Sequence, residues 1–265
     1  MNALSYPLEF VHKYNLFKWL GFAIEEDDLA SIARIYGVPL SELEAIEQRF
    51  QETVSRLAQR LAEERPLRPA PAPLTLLALG DSLTSDRQSW VKILRRYWAA
   101  DPSRQIIDSA VSGDTATSVL NRLHRTVLRH RFERAVVLLG TNDCRRMDEP
   151  DGLTNLSLEE YQRDLRYLTL RLMRHGAALV LVTLPPVDTE RLKRFFTETN
   201  STYDAERLEA TNEFLRALAA ERGAQLADLA AAASAAGEDI LEEDGLHLNA
   251  TGQYLLAKLV AELTD

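Results

Sequence analysis

Four short stretches of this 265-residue chain carry side chains suited to acyl chemistry. Gly80-Asp81-Ser82-Leu83 supplies a serine hydroxyl. Ser109-Ala110-Val111-Ser112-Gly113-Asp114-Thr115 supplies a glycine within a polar loop. Leu139-Gly140-Thr141-Asn142-Asp143 places a carboxamide directly after an apolar run. Asp244-Gly245-Leu246-His247-Leu248-Asn249 puts a carboxylate and an imidazole on one short loop. A serine hydroxyl is a poor nucleophile until a base takes its proton. A neutral imidazole, with a pKa of about 6.5, can accept that proton and later return it to a leaving group. A nearby carboxylate can fix the imidazole tautomer and stabilise the imidazolium. Ser82, His247 and Asp244 are therefore candidates for nucleophile, base and orienting acid. Plainer readings stand beside these: an isolated Asp-Ser pair is more readily a helix N-cap, and Asp244 and His247 could be a surface acid and a helix-flanking histidine.

Other polar residues near these stretches read as support. Asp81 adjoins the serine and points elsewhere, so it is not expected to be the orienting acid. Asp114 and Asp143 are expected to brace loops. His12, His124, His130 and His175 read as solvated or packing residues. The only cysteine, Cys144, excludes an internal disulfide and a multi-cysteine zinc site, and it reads as a free buried thiol. Arg145 and Arg146 could attract an anionic leaving group, but a solvated loop is the preferred reading. Phe195, Phe196 and Tyr203 either line an acyl pocket or pack their loop down. No Gly-x-Ser-x-Gly, Walker A, Gly-x-Gly-x-x-Gly or His-Glu-x-x-His sequence occurs. No nucleotide or metal cofactor is therefore expected.

The elements that must position these residues emerge from periodicity. Apolar runs at Leu74–Leu79, Gln105–Ser109, Ala135–Leu139, Leu179–Thr183 and Ala224–Ala227 predict strands. Helices are predicted over Gln88–Ala99, Thr117–Leu128, Ser157–His175, Asp204–Arg222 and about Ala250–Leu263. Strand–helix alternation implies parallel strands with helices on both faces, and ligands bind beyond the carboxyl ends of such strands. Each of the four stretches falls at such an end or before a helix. Upstream, Leu43, Ile46, Phe50, Val54, Leu57 and Leu61 share one face of a predicted helix over Ser41–Glu64, with Ser41 and Glu44 spaced as a capping box. An earlier helix is predicted over Asp28–Tyr36, ending at Gly37. Four prolines between Arg65 and Leu74 make an extended connector. Ala230–Ala236 is alanine-rich but too short to carry weight.

The four stretches, in this order and each after its strand, resemble the blocks of the GDSL or SGNH hydrolases over about residues 74–263. That resemblance implies a flavodoxin-like three-layer α/β/α sandwich with a central five-stranded parallel sheet, plus a small N-terminal helical unit outside the family. The organisation expected is a helical unit at 1–65, a proline-rich linker at 66–73 and the hydrolase domain at 74–265. It implies a serine esterase forming an acyl-enzyme through Ser82, His247 and Asp244. The family pattern also implies an oxyanion hole from the Ser82 and Gly113 backbone N–H groups and the Asn142 side chain. The form of the third and fourth blocks looks like that of members acting on short acyl esters, including O-acetylated sugars. An acyltransferase with the same residues, a lysophospholipase or thioesterase for longer chains, and an inactive binding protein are the alternatives.

Hydrophobic residues make up 46% and charged residues 27% of the chain, which excludes disorder over most of its length. With 31 basic and 40 acidic residues the net charge is −9, which disfavours nucleic acid and anionic membranes. Ala33 and Gly37 are spaced as in helix-turn-helix proteins, but seven acids between Glu25 and Glu47 would repel phosphates. The apolar stripe of Ser41–Glu64 must be buried against its own unit, the hydrolase domain or a second copy. It therefore allows a homo-oligomer or protein partner through residues 1–65. No secretory start and no transmembrane run is visible, so a cytoplasmic location is expected. The expected ligand is a small-molecule ester.

Overall fold

Strands buried on both faces read as continuous apolar runs, and five of them form the centre of this protein. The computed structural model describes residues 7–15, 26–70, 72–148 and 152–264. Pro71 of the connector and Glu25 of the acidic run lie outside the described residues. In chain order the elements are α1 (Leu8–Lys13), α2 (Leu29–Tyr36), α3 (Leu40–Glu64), β1 (Leu74–Gly80), α4 (Ser82–Ser85), α5 (Trp90–Tyr97), β2 (Arg104–Asp108), α6 (Ala116–Arg122) and β3 (Arg134–Leu138). Then come α7 (Thr141–Cys144), β4 (Arg146–Met147), α8 (Leu158–Arg174), β5 (Ala178–Val182), α9 (Thr189–Phe195), β6 (Ser201–Thr202), α10 (Ala205–Arg222), β7 (Gln225–Ala227), α11 (Leu229–Ala236) and α12 (Ala250–Thr264).

The main sheet has the order β2-β1-β3-β5-β7 with every neighbouring pair parallel. Helices α3, α5 and α12 pack together on one side, and α6, α8 and α10 on the other. This is the expected doubly wound sandwich, with the strand order reversing at β1, so that the loops after β1 and β3 diverge and open a crevice at their carboxyl ends. The five strands lie within one residue of the expected limits. Ser157 and Glu160 cap α8 reciprocally. Ser41 and Glu44 do not cap α3: that helix begins at Leu40 behind Pro39, whose preset φ of −59° starts the helix a residue early. The alanine-rich stretch is a full helix, α11, closed by a left-handed Gly237. The two-stranded β4–β6 pair was not foreseen, because strands of two residues have no periodicity to read.

The stripe of α3 is buried within the chain. Leu43, Ile46 and Phe50 pack with Ile32, Ala33 and Tyr36 of α2 and Leu8 and Val11 of α1. Leu57, Ala58 and Leu61 enter the central core. The connector is pinned to the sheet's edge: Tyr97 donates to the Arg65 carbonyl at 2.9 Å, and Arg104 to that of Arg68 at 2.7 Å. Among the described residues no helix is long and apolar enough to cross a membrane.

Glu47 ties α3 to α1 and to the loop after α4. Its carboxylate accepts from His12 Nε2 at 3.1 Å and from Arg87 at 2.9 Å. Burial alone would raise its pKa, but the His12 hydrogen bond and the Arg87 charge hold it at about 2. Burial lowers the pKa of His12, so its neutral ring donates from Nε2. Both shifts act in one direction. A carboxyl depressed below 4.5 stabilises the fold above pH 4.5 and loses that contribution as pH falls toward 2. An imidazole depressed below 6.5 binds its proton first in the unfolded chain, so acidification below 6.5 also destabilises. Glu47→Gln should cost about 3 kcal/mol at pH 7, because it leaves the buried Arg87 cation without its partner. It should also flatten the loss of stability between pH 4.5 and about pH 2. Urea unfolding at neutral and acidic pH reads both effects, and coincident curves for variant and wild type at neutral pH would remove Glu47 from this role.

Candidate active site

The carboxyl end of β1 runs into a sharp turn. Asp81 caps α4 by accepting from Leu83 N at 3.0 Å, which makes Ser82 the first helical residue and turns its hydroxyl outward. The partner loop lies 165 residues on. It is a tight reversal closed by a bridge between Leu241 and Leu248 and by a hydrogen bond from Glu242 N to the His247 carbonyl at 2.8 Å. Gly245 is required there. Its φ is +71°, and a Cβ would stand 2.4 Å from the Asp188 carbonyl oxygen.

This reversal folds Asp244 and His247 onto each other. Asp244 Oδ1 accepts from Leu246 N at 2.8 Å and His247 N at 2.9 Å, leaving Oδ2 for His247 Nδ1 at 2.6 Å. Burial pushes the Asp244 pKa up, yet the charge of His247 and these hydrogen bonds bring it below the ordinary carboxylate value. With Nδ1–H donating to a carboxylate, Nε2 presents a lone pair, and Ser82 Oγ lies 2.9 Å from it. Tyr14 stacks on the imidazole at 3.8 Å between centroids with 25° between planes, and Phe10 meets it edge-on at 5.8 Å.

Across from the imidazole, Asn142 on α7 comes just after β3. Its amide nitrogen donates to Asp81 Oδ2 at 3.2 Å and to the Asp114 carbonyl at 3.1 Å, which orients the group. Gly113, at φ +83°, presents its backbone at the same pocket. Asp114 is braced by Arg122, and Asp143 Oδ1 accepts from Ala116 N at 2.9 Å. Burial raises the pKa of Asp81 and of Asp143 to about 7 each. Cys144 is buried 3.4 Å from Thr211 Oγ1, and burial pushes its thiol up.

A cavity of about 310 Å³ opens over Ser82. Gly113, Asn142 and His247 line its polar floor, and Phe10, Tyr14, Leu192, Phe196, Tyr203 and Leu246 make apolar walls. Phe196 and Tyr203 thus face the cavity. Phe195 does not line it and instead packs edge-on to Phe196 at 5.0 Å. Arg145 is exposed, as expected, and stands on the cavity's rim. A larger cavity of about 530 Å³ lies alongside, walled partly by Leu184 and Asn212; it shares Tyr203 but touches neither Ser82 nor His247. The arrangement brings an imidazole nitrogen within hydrogen-bond reach of the Ser82 hydroxyl, with the Gly113 backbone and the Asn142 amide lining the same cavity. Sequence reading missed Phe10 and Tyr14. Their i, i+4 spacing, which brings the rings to 4.9 Å, was the available signal.

The sequence pattern of the GDSL-like lipase/acylhydrolase family matches residues 78–255. Esterase TesA of Pseudomonas aeruginosa is 24% identical over 184 residues, covering 66% of this chain and 80% of that protein. The thioesterase 1/protease 1/lysophospholipase L1 of Escherichia coli K12 is 32% identical over 102 residues, 37% of this chain and 48% of that one. Several solved structures share the fold. The lipase/acylhydrolase from Enterococcus faecalis gives a TM-score of 0.59 at 22% identity, covering 72% of this chain and 94% of that one. The acetylxylan esterase Axe2 from Geobacillus stearothermophilus gives 0.59 at 18%, with the same coverage. The chain belongs to the GDSL-like lipase/acylhydrolase family and is a hydrolase acting on ester bonds.

Proposed function

We propose that this protein cleaves carboxylic esters through an acyl-enzyme on Ser82, with His247 as base and Asp244 as its orienting acid. The observation that carries this reading is the unbroken line of hydrogen bonds at 2.9 and 2.6 Å, ending at the floor of a substrate-sized cavity. Ser82 Oγ attacks the ester carbonyl as Nε2 takes its proton. The resulting oxyanion draws on the backbone N–H groups of Ser82 and Gly113 and on the Asn142 amide, which exchanges one of its hydrogen bonds to Asp81 or Asp114 for it. Collapse breaks the carbon–oxygen bond to the alcohol, which leaves with the proton from Nε2. Water then repeats the sequence on the acyl-enzyme and regenerates Ser82.

The substrates we assign are esters of short acyl groups, O-acetyl esters among them. The cavity volume sits at the lower end of ligand sites, of order 300 Å³, and acetylxylan esterases share the fold. A second reading, a longer acyl chain, is supported by the apolar walls at Leu192, Phe196 and Leu246. A series of p-nitrophenyl esters from acetate to decanoate decides between them, with the maximum at two to four carbons expected.

Ser82→Ala should reduce hydrolysis of every ester by several orders of magnitude, with residual turnover from binding and the oxyanion donors alone. A fluorophosphonate probe should modify Ser82; an adduct mapped to another serine would falsify the assignment. Asn142→Ala should lower kcat by roughly 10²–10³ with a smaller change in KM, because an oxyanion donor acts in the transition state. If KM rose while kcat held, Asn142 would be a ground-state contact instead.

A further inference from the structure

Two of the side chains around Ser82 come from outside the family's matched region. Phe10 and Tyr14 lie before residue 78, yet both line the cavity. The segment that carries them is fastened to three of the four loops that converge on the site. The Lys13 carbonyl accepts from Arg87 N at 2.9 Å, and the Asn15 amide donates to the Ser85 carbonyl, both just beyond Ser82. Ser112 Oγ, next to Gly113, donates to the Tyr14 carbonyl. The Lys13 ammonium binds Glu242, on the loop of Asp244 and His247, and lies 3.6 Å from Asp86. Asn15 takes a left-handed φ of 52° to make this turn.

The position of the two rings relative to the imidazole sets their use. In acylation the bond between the carbonyl carbon and the alcohol oxygen breaks, and Nε2 hands its proton to that oxygen. The alcohol portion of the ester must therefore lie beside His247, whereas the carbonyl oxygen faces Gly113 and Asn142. Tyr14, buried, covers one face of the His247 ring. Phe10 stands edge-on to the same ring and continues into Phe196 at 5.6 Å and Phe195 at 5.4 Å.

We propose that helix α1 and the residue that follows it supply the wall of the leaving-group subsite, with Phe10 selecting esters of apolar, aromatic-sized alcohols and Tyr14 completing that wall. The proposal rests on the esterase reading given above and adds to it the class of alcohol. An aromatic wall next to the departing oxygen gains contact area and ring–ring attraction with an aryl-methyl or similar alcohol and gains little from a two-carbon one.

The test uses the full chain and three esters: ethyl acetate, benzyl acetate and ethyl hexanoate. Benzyl acetate enlarges only the alcohol, and ethyl hexanoate only the acyl group. Phe10→Ala should lower the ratio of kcat/KM for benzyl acetate over ethyl acetate by about tenfold, the worth of one lost aromatic contact. Phe10→Leu, which keeps most of the packing, should lower it by a smaller factor. The ratio for ethyl hexanoate over ethyl acetate should stay within about twofold in both variants, since the proposal places the alcohol, not the acyl group, against Phe10. Each ratio is internal to one protein, so a loss of folded enzyme cancels. If the hexanoate ratio moves and the benzyl ratio does not, α1 faces the acyl chain and the proposal is overturned. Two unmoved ratios overturn it as well. A wild-type protein that turns over none of the three esters overturns the esterase reading itself, a result distinct from an active enzyme whose selectivity ignores Phe10.

Discussion

A buried amide joins the two ends of the catalytic arrangement. Gln253, 1% exposed in the first turn of α12, donates to the Leu83 carbonyl at 3.0 Å and accepts from Trp90 N at 2.9 Å. One side chain thus satisfies both a carbonyl of the helix that begins at Ser82 and the first N–H of α5, whose exposure to a dry interior would otherwise be costly. The same helix, α12, starts just after the His247 loop, and the Gln253 backbone is tied to that loop by donating to the Asn249 carbonyl at 2.9 Å. The separation between His247 and Ser82 is therefore fixed by hydrogen bonds on either side of it. The pair's 2.9 Å contact is a consequence of how α12 is seated, not of attraction between the two residues alone.

Around that bracket the carboxylates divide into two kinds. Asp244 is buried but surrounded by donors, three N–H groups in all, and so stays ionised to hold the imidazole. Asp81 and Asp143 are also buried, and burial wins over their donors: each pKa is raised to about 7. Asp143 also feels the charge of Asp81, which adds to its cost of ionising. The Asp143 Oδ2 atom has no hydrogen-bond partner among the described residues, which adds to the cost of ionising the group. The His247 charge pulls the other way on Asp81. In the proposed mechanism an imidazolium forming during acylation therefore favours an ionised Asp81, the group that accepts from Asn142. The proposed base and the proposed oxyanion donor are in this way linked by electrostatics across the serine.

The sheet and its loops were legible because their signals are local. Continuous apolar runs ending at Gly80, at the Ser109 stretch and at Gly140 fix where each strand stops, and helix periodicity fixes the helix that comes next. The Asp244–His247 loop was legible for the same reason: three residues of separation suffice for one carboxylate to reach the imidazole and two backbone N–H groups. The failures are residues whose partner is far away. Ser41 and Glu44 have the spacing of a cap, but Pro39 had already set the helix start. Phe195, Phe196 and Tyr203 were indistinguishable in sequence, and only packing sends two to the cavity and one behind it.

Residues 8–15 show this limit most sharply, and they also change the meaning of α3. A six-residue helix is too short to hold itself in water, since nucleation is unfavourable and few hydrogen bonds repay it. Its position must come from tertiary contacts, which no hydrophobic pattern of α1 alone encodes. Those contacts arrive from two directions. Leu8 and Val11 pack in the small core with Phe50 and Ile46 of α3, and His12 stacks on Phe50 with ring centroids at 6.0 Å. Glu47, one turn before Phe50, then binds both His12 and Arg87. Helix α3, meanwhile, is anchored at its far end by Leu57 and Leu61 in the central core. It therefore works as a rigid beam of 25 residues, held by the sheet at one end and holding α1 over His247 at the other. Such a beam accounts for a long amphipathic helix upstream of a domain whose catalytic blocks do not contain it.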